Sequence, residues 1–444
     1  MSAKLEEGDF RGAVRLACSD DTLAPMNEAT FEALQEKHPS PHPDSSIPPS
    51  AESSQQCTLI ATEEEVIRAI HSFPKGSAGG PDGLRPQHLK DMLSDGGSRQ
   101  ALLPALVSFV QLMLHGATPP SIRPFFFGAN LTALHKKQGG IRPIAVSCTL
   151  RRLTAKVAGN LVMKEMGNLL APRQLGFGVR GGGEAAVHAV RLYLHDIDPG
   201  RAVLKLDFRN AFNTIRRDKM LVAVLEHVPA LYPFVRSEYS SPSSLFWSDR
   251  TIQSAEGVQQ GDPLGPLLFC LTIHRLVTQL NSELSLFYLD DGTLGGDVET
   301  LLSDLEVVER EGARIELQLN VQKSEIICAD SDITGSIQSS LPGALVVEPS
   351  SATLLGSPIG DVSSISATLT IKTNMLKRMG ERLQCLTAQD ALLLLKHSFA
   401  LPKLLYNLRT APCFLSPVLQ EYDELLKSTL SGITDIHFQD DDPT

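Results

Sequence analysis

Three aspartates in this chain stand where apolar runs stop. Asp207 lies at the end of AVLKLDF (202–208), and Asp290 and Asp291 follow SLFYL (285–289). Carboxylates at the ends of adjacent antiparallel strands can enter one coordination sphere. Hard oxygen ligands suit Mg²⁺, which prefers near-octahedral geometry and is held by carboxylates together with substrate phosphates. Mn²⁺ accepts the same ligands. Two such ions clamp the attacking and leaving oxygens of an in-line phosphoryl transfer. Converging acids repel one another, and a cation keeps them all charged. Asp291–Gly292 is a favoured type I′ dipeptide, which predicts both acids at a tight β-turn. Taken alone, Asp-Asp-Gly equally describes a solvated turn, so the surrounding elements must decide.

Those elements are legible as short strands between helices. AVLKLDF, SLFYL and EIICA (325–329) are apolar runs of strand length that end in polar or Gly-rich turns. Residues 1–38 read as short helices, and the Ser/Pro-rich stretch from Pro39 to Gln56 reads as a linker. A helix is expected over Glu63–Phe73 with Thr62 as its N-cap. KGSAGGPDGLR (75–85) reads as a loop, residues 101–115 as a helix, and the segment from Ile141 as entering a helix after Pro143. Pro263 and Pro266 fit the start of another helix. Beyond Gly360 the pattern is helical. Ile371, Met375, Met379, Leu383 and Leu386 form one amphipathic stripe, and Asp390–Arg409 a second helix. The tail FQDDDPT reads as solvated.

Composition bounds the function. The 444 residues are 42% apolar and 20% charged, enough to bury a sizeable core across several domain-sized units. Net charge is −11, which by itself argues against a phosphate-rich partner. The sum hides an asymmetry. Between Leu131 and Met220 there are 16 Lys and Arg against 6 Asp and Glu, and local charge governs such binding. Seven scattered cysteines form no CxxC pair, which fits a reducing compartment and no zinc site. The N-terminus lacks the apolar core of a signal peptide, and the most apolar stretch, 101–114, is too short to span a membrane. An intracellular protein with no membrane partner is expected. The histidines show no HExxH spacing, and the GGG at 181–183 lacks the GxxxxGK[ST] pattern of an NTPase loop.

The order of motifs carries a resemblance. LDFRNAF (206–212), GVQQGDPLGPLLF (257–269), FYLDDG (287–292), LNVQKSE (319–325) and LLGSPIG (354–360) resemble the successive palm motifs of reverse transcriptases, FYLDD standing for the YxDD box. Upstream, GSAGGPDGLRPQHL (76–89), IRPIAVSCTLRRLTAK (141–156) and QLGFGVRGGGEAAVHAVR (174–191) resemble the finger segments of non-LTR, LINE-type retrotransposon polymerases. The resemblance implies an α+β right-hand polymerase: fingers over 61–200, a palm with an antiparallel sheet over 201–362, and a helical thumb over 363–436. Residues 1–60 would be an N-terminal extension and linker, and 437–444 an acidic tail.

It also implies roles. Asp207, Asp290 and Asp291 would hold two Mg²⁺ ions and act as the catalytic acids. Phe212 matches the aromatic gate beneath the incoming sugar, which favours deoxynucleotides. Arg142 and one of Lys136 and Lys137 would meet the triphosphate; Arg142 is favoured because a guanidinium binds phosphate bidentately. Gln260 and Gly261 would pack against the nucleotide and template base. Lys323 matches a lysine that protonates departing pyrophosphate, and Leu355, Gly356 and Gly360 belong to a primer-grip hairpin. The implied partners are an RNA template, a DNA primer and dNTPs; the oligomeric state is left open. No endonuclease, RNase H or zinc knuckle is legible, so the resemblance suggests a truncated or host-derived copy. A catalytically inactive remnant that binds nucleic acid is the alternative. An intron maturase or telomerase-like enzyme is disfavoured, as no separate RNA-binding domain is legible.

Overall fold

A computed structural model describes residues 4–5, 8, 12–14, 22–49, 59–135 and 139–436. Lys136, Lys137, the later half of the Ser/Pro-rich stretch and the acidic tail lie outside the described residues. In chain order the strands are β1 (Ala129–His135), β2 (Ile141–Ser147), β3 (Arg201–Leu206), β4 (Ser243–Trp247), β5 (Arg250–Ser254), β6 (Leu284–Tyr288), β7 (Asp291–Asp297), β8 (Glu325–Ile327), β9 (Leu345–Val347), β10 (Thr353–Leu354) and β11 (Ser357–Pro358). They form a five-stranded sheet in the order β6-β7-β3-β8-β9, a four-stranded sheet β2-β1-β4-β5, and the small hairpin β10-β11. Pairing is antiparallel except at β8–β9 and β1–β4, which are parallel. Together with the helices this is an α+β fold.

The central strand β3 explains why its sequence is apolar throughout. Ala202, Leu204 and Leu206 face the main core, while Val203 packs on the other face with Val187, Val190 and Ile327. The two apolar helices Thr149–Leu170 and Gly265–Thr278 fill that main core, which extends from Ala61 to Ala344. A second cluster, built on Ile365–Tyr422 and joined by Leu5 and Ala13, holds the C-terminal helices. No helix among the described residues is long and apolar enough to cross a membrane. The described cysteines, Cys148, Cys270, Cys328, Cys385 and Cys413, are free thiols.

Local signals translate into structure where local chemistry decides. Thr62 caps the Glu63–His71 helix, and Glu65 returns the bond to complete a capping box. Pro266 sits in the first turn of the Gly265–Thr278 helix. Three expectations fail where tertiary packing decides. Pro143 lies within β2, and the helix begins only at Thr149. β2 is an edge strand, where a missing N–H is tolerated. The stripe on the Val362–Leu383 helix is misphased: Ile371 is 68% exposed, and the inner face is Ile365, Leu369, Leu376, Met379 and Leu383. Repeated steps of four rotate by about 40° each, so Ile371 drifts off the face that Leu383 occupies. Asp390–Arg409 is not one helix. It divides into Ala388–Leu394, a π turn over Leu395–Phe399, and Leu401–Thr410, which starts over Pro402.

Candidate active site

The register of the five-stranded sheet sets the acids side by side. Leu206 on β3 pairs with Gly292 on β7, so Asp207, the next residue, emerges at the same end as Asp291. Tyr288 pairs with Asp291, which leaves Leu289 and Asp290 as the two-residue turn between β6 and β7. The turn is therefore not Asp291–Gly292, as its dipeptide signature predicts. Gly292 is needed inside the strand, where a Cβ would stand 2.8 Å from the Phe287 ring. Leu289 takes the strain instead, at φ 60°. A bulky residue held in that region costs free energy, and such outliers concentrate at functional sites.

Electrostatics at this corner are those of crowded acids. Asp207 is half-buried; its Oδ1 accepts from Asn320 Nδ2 at 2.7 Å, and its N–H donates to Ser324 Oγ at 3.2 Å. Water reaches the Asp291 carboxyl, yet the surrounding walls desolvate it, and Asp290 and Asp207 repel it. Together they push it up to about 6, against the pull of Lys205. Beneath them the Cys270 thiol is pushed up to about 12 by burial and by Asp290. Among the described residues no three His, Cys, Asp or Glu side chains are gathered closely enough to hold a metal ion. The three aspartates are thus neighbours with like, mutually repelling charge, not a closed set of ligands. As a donor set of hard oxygens with repelling charges, they fit Mg²⁺ or Mn²⁺ in chemistry.

In front of the acids opens a cavity of about 990 Å³. Asp207, Asp290, Arg142, Phe212, Gln260 and Lys323 all line it, although they come from five separate segments of the chain. Arg142 stands on β2 and Lys323 on a 3₁₀ turn, both exposed to the cavity mouth. Phe212 lies flat against Phe269, ring centroids 4.6 Å apart and planes 13° from parallel. That stack fixes the ring at the cavity floor. Asp291 and Gly261 lie outside this lining, Gly261 in the adjoining cleft with Phe212 and Gln260.

The loop bearing Gln260 and Gly261 is locked from both sides. Gly261 sits at φ 119°, and a Cβ there would meet Ala145 O at 2.2 Å, so only glycine lets the loop press onto β2. The Ala145 N–H donates to Gln260 O at 3.0 Å across the same seam. Behind the loop lies a buried polar network. Arg151 is 1% exposed; it binds Glu238, donates to Phe127 O at 2.6 Å and to Gln259 Oε1, and stands 3.8 Å from Asp262. Tyr239 OH donates to the Asp262 carboxylate. Arg217 donates to Gly257 O at 3.0 Å and to Ser254 O at 2.8 Å. Burial pulls Arg217 down to about 10 and pushes Glu238 up, with Arg151 drawing Glu238 back.

Sequence reasoning missed this network. Its signal was faint: Arg151, Arg217 and Glu238 each stand near other charged residues on ordinary helices, and nothing local marks them as buried. Gln259 and Gln260 are adjacent in GVQQGDPLGPLLF. The structure separates them, Gln259 in the network and Gln260 at the cavity.

Residues 134–359, half of the chain, match the protein-family profile described as "Reverse transcriptase (RNA-dependent DNA polymerase)". The chain belongs to the reverse transcriptase family. Among curated relatives, the "Retrotransposable element SLACS 132 kDa protein" of Trypanosoma brucei gambiense is 26% identical over 295 residues, covering 64% of this chain and 24% of that protein. The "Retrovirus-related Pol polyprotein from type-2 retrotransposable element R2DM" of Drosophila melanogaster is 27% identical over 285 residues, 60% of this chain and 25% of its own length. The R2 polyprotein of Nasonia vitripennis is 24% identical over 241 residues, 49% of this chain and 22% of its length. The chain spans about a quarter of the length of these relatives. They are non-LTR retrotransposon proteins, and the fold is that of a right-hand polymerase.

Two further regions of the chain differ in how they meet the site. The β10–β11 hairpin turns through Leu355 at φ 47° and Gly356 at φ 77°. The Leu401–Thr410 helix holds it, Tyr406 OH donating to Leu355 O at 3.0 Å. Leu355, Gly356 and Gly360 are absent from the cavity lining; Gly183 is near both Leu355 and Tyr288, which places the hairpin on the Tyr288 side of the acidic turn. The basic block between Leu131 and Met220 is not one open surface. Arg151, Arg216 and Arg217 are buried, Lys205 pairs with Glu325 at 2.6 Å, and Arg173 donates to Val277 O and Leu280 O. Arg142 and Arg209 are among those left facing the cavity.

Proposed function

We propose that the chain is the core of an RNA-directed DNA polymerase, extending a DNA primer on an RNA template with dNTPs. The observation that carries this is the single cavity shared by Asp207, Asp290, Arg142, Phe212, Gln260 and Lys323. Fingers over 61–200, palm over 201–362 and thumb over 363–436 are the domains this reading assigns.

Asp207, Asp290 and Asp291 would hold two Mg²⁺ ions, with Mn²⁺ as a substitute. Bound there, the ions would offset the acids' repulsion and supply Lewis acidity to the primer hydroxyl and the phosphates. The chain's own residues do the rest. Arg142, with Lys137 beside it in sequence, meets the triphosphate. Phe212, rigid on Phe269, closes the space a 2′-hydroxyl needs. Gln260 and Gly261 set the plane of the nucleotide and its template base. Leu355, Gly356 and Gly360 bring the primer end to the acidic turn. The primer 3′-hydroxyl gives up its proton to solvent, its oxygen bonds to the α-phosphorus as the α–β bridging oxygen leaves with pyrophosphate, and Lys323 donates a proton to that product.

Primer extension on an RNA template tests this. Wild-type protein should incorporate dNTPs, and the variant carrying both Asp290→Asn and Asp291→Asn should not. Incorporation no greater than that of the double variant, with RNA still bound, would select the non-catalytic nucleic-acid-binding reading.

A further inference from the structure

The Ser/Pro-rich stretch, which reads as a tether, is fastened into the site over its described half. Pro39-Ser40-Pro41-His42-Pro43 alternates prolines, which fix φ and bar the intervening residues from helix, so the segment is extended and stiff. Hydrogen bonds to the body of the protein pin it along its length. Asn210 Nδ2 donates to Lys37 O at 2.9 Å; the His42 N–H donates to Glu256 Oε1 at 2.8 Å. Arg216 reaches Asp44 O at 3.2 Å, and Tyr232 OH donates to Pro48 O at 2.7 Å. The His42 ring accepts from the Asp44 N–H at Nδ1, so Nε2 carries the proton that faces Glu316 Oε1 at 3.5 Å.

These anchors are not remote from the chemistry. Asn210 lies in the turn between Asp207 and Phe212, at φ 51°. Glu256 is buried, gives its second oxygen to the Arg217 N–H at 2.8 Å, and precedes the Gln260 loop by four residues. Glu36, Lys37 and the run from Pro39 to Pro43 line the same cavity as Asp207, Phe212 and Gln260. Among them Lys37 brings a charge of the sign that a triphosphate requires.

We infer that the Lys37–Pro48 strap is a wall of the nucleotide cavity and sets affinity for the incoming deoxynucleoside triphosphate. This rests on the polymerase reading above. A floppy tether would lose nothing by being softened. A wall would lose pre-organisation, and the nucleotide would bind a less well-shaped cavity.

Two variants separate these roles. Replacing Pro39, Pro41 and Pro43 with glycine softens the strap and leaves its hydrogen-bonding groups in place. Lys37→Met removes the charge and keeps the backbone carbonyl that Asn210 holds. With unfolding checked by circular dichroism, each should raise the KM for dNTP about fivefold, the scale of one or two lost neutral hydrogen bonds. The kcat should stay within about twofold, because the wall touches binding and not the reacting atoms. Unchanged KM in both variants overturns the inference, as does a fall in KM, which would make the strap an obstruction. If wild-type protein incorporates nothing, the polymerase reading fails on its own. Titration with a fluorescent dGTP analogue then decides the strap: weaker binding by the variants supports it, and equal or absent binding overturns it.

Discussion

Two clusters of charge in this molecule are built on opposite terms. Around Arg151 the charges are buried and matched. Glu238 and Asp262 offset the burial of the arginine and favour its charged form, Gln259 and Phe127 accept its further hydrogen bonds, and Tyr239 donates to Asp262. At the end of β3 and the β6–β7 turn, like charges crowd together, so that partial burial and then repulsion by Asp290 and Asp207 raise Asp291. The first arrangement holds a shape. The second stores repulsion that a cation relieves, and such unresolved charge marks a site built for a ligand. A charged residue deep in the fold is thus the weaker functional signal of the two, however unusual its burial.

The widest gap should come from breaking each cluster in turn. Arg151→Met leaves Glu238 and Asp262 buried without their cation, and should cost about 3–5 kcal/mol in urea unfolding. Asp290→Asn removes a repelling charge and should leave stability unchanged or raised while abolishing primer extension. Equal destabilisation by both would erase the distinction between scaffold and site. Next in size is Gly261→Ala, where a Cβ would meet Ala145 O at 2.2 Å and a positive φ must be kept. Backbone cannot swing aside as a flexible side chain can, so a loss of about 1–3 kcal/mol is expected, with nucleotide affinity falling alongside. Phe212→Ala should act on selectivity more than on stability, lowering discrimination of dNTP against rNTP roughly tenfold in single-nucleotide incorporation. Unaltered discrimination would reduce Phe212 to a packing partner of Phe269.

What the sequence made legible follows the same divide. The acids were visible because apolar runs of strand length end on them; the Gly-rich β7, which lies between β3 and β6 and pairs antiparallel with both, was not. Their turn was misplaced by two residues, since Asp-Gly favours a turn locally while the Phe287 ring demands Gly292 inside the strand. Arg151 and Arg152 are adjacent in TLRRLTAK, and only the helix phase, set by tertiary packing, buries the first. Pro143 looked like a helix start because nothing local announces an edge strand. The strap was misread for a related reason: Ser and Pro describe a stiff extended segment as well as a linker, and its anchors Asn210, Glu256 and Tyr232 lie more than 170 residues away.

The finest contrast between the clusters lies in their response to pH. Asp291 titrates at about 6 in the folded, metal-free protein instead of at 3.8, so the folded chain holds that proton more tightly than the unfolded chain. Its contribution to stability is therefore full below 3.8, is lost as pH rises through about 6, and is constant above. Asp291→Asn cannot ionise and should escape that loss. In chelator, the unfolding temperature of wild type should fall progressively behind that of the variant between those two values, and the gap should then stay level. Because water reaches Asp291, the gap should be small. Mg²⁺ should narrow it at neutral pH and not at pH 5, since proton and cation compete for the same oxygens. A gap that ignores both pH and Mg²⁺ would mean that the three aspartates do not share a charge environment, and the contrast with the Arg151 network would fall with it.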